Sequence, residues 1–144
     1  MRINGRWLLC SDGDVRPTVQ VEILGHDGGW RRRDFLVDTG ADGTAFTVDL
    51  QADLDLPSTP TASVSGVGGA APAVLIATSI RMLRDDGGTF SVQGGQFVGL
   101  GAASAVDMSV LGRDILDLFA VIVDRPGNLV SLLARRHQYA VVVV

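Results

Sequence analysis

Carboxylates are the abundant proton-transfer groups in this sequence. It holds 15 Asp and one Glu, against a single cysteine, two histidines and no lysine. Among them Asp38 has the most constrained setting. It closes the apolar run Phe35-Leu36-Val37 and is followed by Thr39, Gly40, Ala41 and Asp42. A run this apolar predicts a buried strand, which puts Asp38 at a buried or cleft position. A carboxylate there is costly unless it is hydrogen-bonded or neutralised. Thr39 supplies a hydroxyl, and Gly40 lets backbone N–H groups come close. Such a group is suited to general acid–base work.

Two further segments carry signals of their own. Ser65-Gly66-Val67-Gly68-Gly69 lies between strand-like stretches and predicts a mobile hairpin tip. Ser109-Val110-Leu111-Gly112-Arg113-Asp114 predicts a buried strand that turns through glycine into a short helix.

Competing chemistries fit less well. Asp38 through Asp49 partly matches a calcium loop, with Asp at positions 1 and 5 and Gly at 6. Gly40 and Phe46 fall on ligand positions, however, and a strand precedes the loop rather than a helix. Gly66-Val67-Gly68-Gly69-Ala70-Ala71 superficially matches a dinucleotide fingerprint, but Pro72 and the strand-like residues 73–80 follow where a helix should open. His26, His137 and Cys10 make no zinc pattern, and no Gly-x-Ser-x-Gly elbow is present. Cys10 reads as a small apolar strand residue.

The elements that must position these residues are mainly strands. Eighteen glycines, frequent Val and Thr, and almost no Glu or Lys disfavour helix. Val19, Val21 and Ile23 alternate with polar residues, His26-Asp27-Gly28-Gly29 is a hairpin turn, and the strand returns over Arg33–Val37. Further strands are expected at Thr44–Val48, Ala62–Ser65, Ala73–Met82, Thr89–Val98, Phe119–Val123 and Leu129–Leu133. Asp85-Asp86-Gly87-Gly88 is a turn, and Arg125-Pro126-Gly127-Asn128 is expected to form a type II turn. Short helices are expected within Asp49–Leu56 and over Arg113–Leu118. The result is one all-β domain spanning 1–144, a barrel-like closed sheet with one or two short helices.

Composition narrows the partners. Hydrophobic residues are 47% and charged residues 19% of the 144, which excludes a disordered chain. A net charge of −4 argues against a nucleic-acid partner, and Arg31-Arg32-Arg33 reads as a solvated strand. Trp7-Leu8-Leu9-Cys10 is too short for a signal peptide and Val141–Val144 too short for a membrane span. The expectation is a soluble, cytoplasmic or similarly located protein with no membrane partner.

Taken together, the three segments resemble the retropepsin-like aspartic proteases, whose best-known members are the retroviral proteases. That family carries Asp-Thr-Gly-Ala after an apolar strand, a glycine-rich flap, and two apolar residues before Gly-Arg-Asp or Gly-Arg-Asn, in this order. The stretch from Leu111 through Asp124 is closer to the cellular, bacterial and retrotransposon branches. The resemblance implies a closed acid-protease barrel with a β-hairpin flap and an aspartic endopeptidase activity that needs no cofactor and no metal. It makes Asp38 the catalytic aspartate, Thr39 the residue bracing the two active-site loops across a dimer, and Gly40 and Arg113 active-site support. Ala41, Asp42, Gly66, Val67, Gly68, Gly69 and Val110 become substrate-binding residues, with Asp42 paired to Arg113. Ser65 stands where retroviral flaps often have glycine, and Gly43 where some members have a second aspartate.

The chain has one Asp-Thr-Gly, and acid–base peptide hydrolysis by this route needs two carboxylates, so the second is expected from another copy in a twofold homodimer. Tyr139–Val144 and Ile3–Leu9 are the expected intersubunit strands. The alternative is a non-catalytic binding or assembly domain of the same fold.

Overall fold

The computed structural model describes residues 1–61, 64–66, 69–101, 107–134 and 142. Three strands open the chain: β1 (Arg2–Asn4), β2 (Arg6–Leu9) and β3 (Val15–Leu24). β3 turns into β4 (Trp30–Val37), and after the Asp38 loop come β5 (Ala45–Phe46) and α1 (Val48–Leu54). Then follow β6 (Ser58–Pro60), β7 (Val64–Gly66), β8 (Gly69–Ala71), β9 (Ala73–Leu83) and β10 (Thr89–Leu100). The chain continues through β11 (Val110–Leu111), α2 (Arg113–Leu116), β12 (Phe119–Asp124) and β13 (Leu129–Ala134).

The main sheet runs β2-β3-β4-β11-β5-β10-β9-β6, and an additional β3–β9 pairing at Glu22↔Arg81 and Ile23↔Ile80 closes the ladder on itself. A second sheet, β1-β13-β12, lies beside it. The period-2 pattern of β3 explains its place, since Val19, Val21 and Ile23 are all buried. Two turns use one device. Asp27 and Asp86 each accept the backbone N–H of the second following residue at 2.9 Å, with Gly28 and Gly87 at positive φ between.

Several boundaries differ from the sequence reading. β4 begins at Trp30, three residues early, because Arg31 and Arg33 reach across to Asp53 of α1 at 3.2 and 2.5 Å and are held in the ladder. α1 stops at Leu54, where Asp55 adopts left-handed φ and its N–H caps Gln51 O. α2 is one turn and does not reach Leu118. The Arg125–Asn128 turn is not type II. Asn128, rather than Gly127, carries the positive φ, and its N–H bonds to Arg125 O at 3.1 Å. The reason is local: Gly127 N–H donates to Asp124 Oδ1 at 2.9 Å, and that carboxylate fills the space a Cβ at 127 would need. Ile3–Leu9 is likewise not one strand. Gly5 splits it, lying so close to Val130 and Thr18 that a side chain would collide with both. The halves pair with β13 and β3 of the same chain. Residues 62 and 63 of the expected Ala62–Ser65 strand lie outside the described residues, as does the expected tail strand apart from the exposed Val142.

The core ties the Asp38 loop to the barrel. Phe46, immediately after that loop, packs edge-on against Phe35 at 5.9 Å between centroids and against Phe97 at 5.4 Å, and all three are buried. Phe46→Ala is expected to cost about 3–5 kcal/mol, read as a lowered urea midpoint; a loss below about 1 kcal/mol would mean the ring does not anchor the loop.

The surface ion pairs bear on acid tolerance. Asp27 and Asp53 are held below the ordinary carboxylate range, first by hydrogen bonds from Arg31, and Asp86 is held low by Gly88 N–H and Arg84. A depressed carboxyl contributes stability above its unfolded value, and that contribution fades as pH falls through the folded one. The melting temperature should therefore hold between pH 7 and about 5 and drop only below about 4. A decline already at pH 6 would contradict this.

Candidate active site

The Asp38 loop is shaped by a short strand threaded through it. β11 pairs parallel with β4 (Val110↔Leu36, Leu111↔Val37) and antiparallel with β5 (Val110↔Ala45), so it lies between the two arms of the loop. Leu36 N–H bonds to Ser109 O at 2.9 Å, and Asp38 N–H to Leu111 O at 3.2 Å. Further along, Arg113 N–H bonds to Ala41 O at 2.8 Å and Asp114 N–H to Asp42 O at 3.2 Å. The loop that carries the carboxylate is thus bonded along its length to Ser109–Asp114.

Close approach makes this possible. A Cβ on Gly112 would overlap the Gly43 carbonyl group and come within 2.9 Å of Thr44 N. Within the turn, Gly40 N–H donates to Asp38 Oδ1 at 2.9 Å, which fixes one carboxylate oxygen. Asp38 is half-buried, while Thr39 and Gly40 are exposed and Ala41 is half-buried. Asp42 pairs with Arg113, and its side chain is 89% exposed. An ion pair so open contributes little by charge alone. Val110 is buried, so in the single chain its role is to fill the strand between Leu36 and Ala45.

Among the residues singled out from sequence, the structure brings Asp38, Thr39, Gly40, Ala41, Asp42, Val110 and Arg113 into one unit. Gly66 and Gly69 pair across the β7–β8 hairpin. Val67 and Gly68, between them, lie outside the described residues.

Sequence reasoning missed the second layer. Thr44 is fully buried, and its Oγ1 donates to Asp114 Oδ1 at 2.7 Å and accepts Gly112 N–H at 3.1 Å. Asp114 Oδ1 also accepts Thr44 N–H at 3.0 Å and Ile115 N–H at 2.9 Å. At the other end of β11, Ser109 Oγ accepts Thr47 N–H at 3.0 Å, and both residues are buried. The available signal was hydroxyls on otherwise apolar strand ends, which need partners once buried.

A closed β ladder whose Asp-Thr-Gly turn is threaded by an apolar-apolar-Gly strand is the arrangement of a retropepsin-like acid protease. The sequence profile of the aspartyl protease family matches residues 19–115, and the chain belongs to that family. Among solved structures it is similar to the EIAV protease in complex with the inhibitor HBY-793, at 25% identity and TM-score 0.51, covering 71% of this chain and 86% of that one. A retropepsin-like aspartic protease from Rickettsia conorii has the same fold, at 20% identity and TM-score 0.60, covering 92% of this chain and 89% of that one. No curated protein matches. Among the described residues no helix is long and apolar enough to cross a membrane.

Gly112→Ala and Gly43→Ala form a matched pair. Around Gly43 the nearest atom to an added Cβ is Val98 Cγ2 at 3.8 Å, an ordinary contact. Gly112→Ala is expected to lose about 2–3 kcal/mol in urea denaturation, and Gly43→Ala less than about 1. Equal losses would show that the contact does not hold the loop.

Proposed function

We propose that this chain is an aspartic endopeptidase that works as a homodimer, with Asp38 of each copy forming the catalytic pair. The observation that carries the reading is a single Asp-Thr-Gly turn, rigidly bonded at its back through β11 and exposed at Thr39 and Gly40. The rigid side fixes the carboxylate. The exposed side leaves room for a second copy, and the chain has only one such turn.

Two carboxylates about 3 Å apart cannot both ionise, so the pair shares a proton and titrates in two separated steps. The ionised Asp38 accepts a proton from water as the oxygen attacks the peptide carbonyl. The protonated Asp38 donates to the carbonyl oxygen, giving a tetrahedral gem-diol. As that intermediate collapses and the C–N bond breaks, the ionised Asp38 takes a proton from one gem-diol hydroxyl while the protonated Asp38 gives its own to the leaving nitrogen. A carboxylic acid and an amine depart, and the pair is again singly protonated. In this reading Thr39 braces the two loops across the twofold axis, and Gly40 keeps Asp38 Oδ1 oriented through its N–H. Arg113 holds Asp42 at the floor of the substrate groove. Ala41, Asp42 and Val110 face the bound peptide from below. The hairpin tip Gly66, Val67, Gly68 and Gly69 closes from above, its glycines allowing the backbone to adapt.

Asp38→Asn removes the base while keeping the size of the side chain. Cleavage of a casein-type substrate should fall to background while the circular dichroism spectrum stays unchanged; cleavage at the parental rate would sink the reading. Activity should peak on the acid side of neutral, because only the singly protonated pair is competent. A rate still climbing at pH 9 would point to a different nucleophile.

A further inference from the structure

We infer that Asp114 is a positioning residue for Asp38, acting through a one-directional hydrogen-bond chain that crosses the inserted strand. The inference rests on the reading of Asp38 as the proton-transfer group.

The links are continuous. Asp114 Oδ1 accepts the hydroxyl of Thr44 at 2.7 Å, and Thr44 Oγ1 accepts the N–H of Gly112 at 3.1 Å. That N–H belongs to the same peptide group as the Leu111 carbonyl, which accepts the N–H of Asp38 at 3.2 Å. A peptide group is planar and stiff, so a tilt at its N–H end is a tilt at its carbonyl end. The Leu111–Gly112 peptide is therefore a lever, held by Thr44 on one side and holding the backbone of Asp38 on the other.

The direction of the chain follows from donor and acceptor inventories. An ionised carboxylate can only accept, and Thr44 has one hydroxyl proton. With Gly112 N–H already donating to Oγ1, that proton goes to Asp114. Every donor then points the same way, from Asp38 through the peptide and Thr44 to the carboxylate, and bonds aligned so reinforce one another. Asp114 is itself pinned, since the same oxygen also takes Thr44 N–H at 3.0 Å and Ile115 N–H at 2.9 Å. Thr44 is wholly buried while Asp114 is exposed, so if Asp114 is removed the only replacement acceptor on that side is a water, neutral and unanchored where the carboxylate is charged and fixed.

Asp114 touches no reacting atom in this scheme, and its effect falls on the placement of Asp38. Displacements of an ångström or less in a catalytic group cost up to about a hundredfold in rate. Four variants separate this role from a merely structural one. Asp114→Ala and Thr44→Val break the chain, whereas Asp114→Asn and Thr44→Ser keep an acceptor and a hydroxyl at the same places. Two readouts are needed: steady-state kinetics on a casein-derived peptide, and amide hydrogen exchange of the Asp38 and Gly112 N–H groups by NMR. Asp114→Ala should lower kcat about 10- to 100-fold with KM within about threefold, and exchange at both amides should speed up. Asp114→Asn and Thr44→Ser should stay near the parent in both. Asp38 exchange unchanged in Asp114→Ala, or kcat within threefold of the parent there, overturns the inference. So does loss of activity in Asp114→Asn equal to that in Asp114→Ala. Exchange is readable without turnover. If it responds as stated while the parent cleaves no peptide, the hydrogen-bond chain stands and the protease reading falls.

Discussion

The structure depends on one close backbone contact, that of Gly112 against Gly43 and Thr44. With hydrogen at this position, β11 can lie between β4 and β5 and satisfy the backbone of the Asp38 loop from Leu36 to Asp42. A loop carrying two carboxylates, two glycines and an exposed threonine has little apolar surface with which to hold itself. Its rigidity comes from hydrogen bonds to a neighbour that is itself buried, since Val110 and Leu111 are 7% and 0% exposed. A side chain at 112 would push the two segments apart and release those bonds together.

The barrel can be understood as the support of that contact. The β3–β9 pairing closes the ladder, and the Phe35, Phe46 and Phe97 rings fill the space behind the loop. Phe46 is two residues after Thr44, so the aromatic cluster and the Thr44–Asp114 bonds clamp the same short stretch from apolar and polar sides. The polar clamp needs the apolar one, because a hydrogen bond to a buried hydroxyl is strong only where water is kept out. The exposed side has no such support: Thr39, Gly40 and Asp42 face outward. The same loop is thus bonded along one side to its own chain and exposed on the other.

Much of this was legible in the residues. Alternation in β3, the Asp-Gly turns and the apolar approach to Asp38 are local signals, and local signals survive into the fold. The strand ladder and the two segments that meet at the site, Asp38–Asp42 and Ser109–Asp114, could be read in order from sequence. What could not be read depends on contacts between distant residues. Thr44 looked like the start of a strand, and only its meeting with Asp114, 70 positions away, makes it a hinge of the site. Gly127 looked like the positive-φ residue of a type II turn, but the Asp124 carboxylate claims its neighbourhood and moves that conformation to Asn128. Ile3–Leu9 looked like one strand, yet Gly5 packs against Val130 and sends its two halves to different sheets. Each of these was decided by packing that no short window contains.

The central claim is that one competent site needs Asp38 from two chains. Subunit mixing tests it most directly. Parent and Asp38→Asn chains are unfolded, combined in equal amounts and refolded together, and peptide hydrolysis is compared with an equal total of parent alone. Random pairing leaves about one quarter of dimers with both aspartates, so the account predicts about one quarter of the activity. Retention of about one half would mean that each chain works alone, and would contradict it.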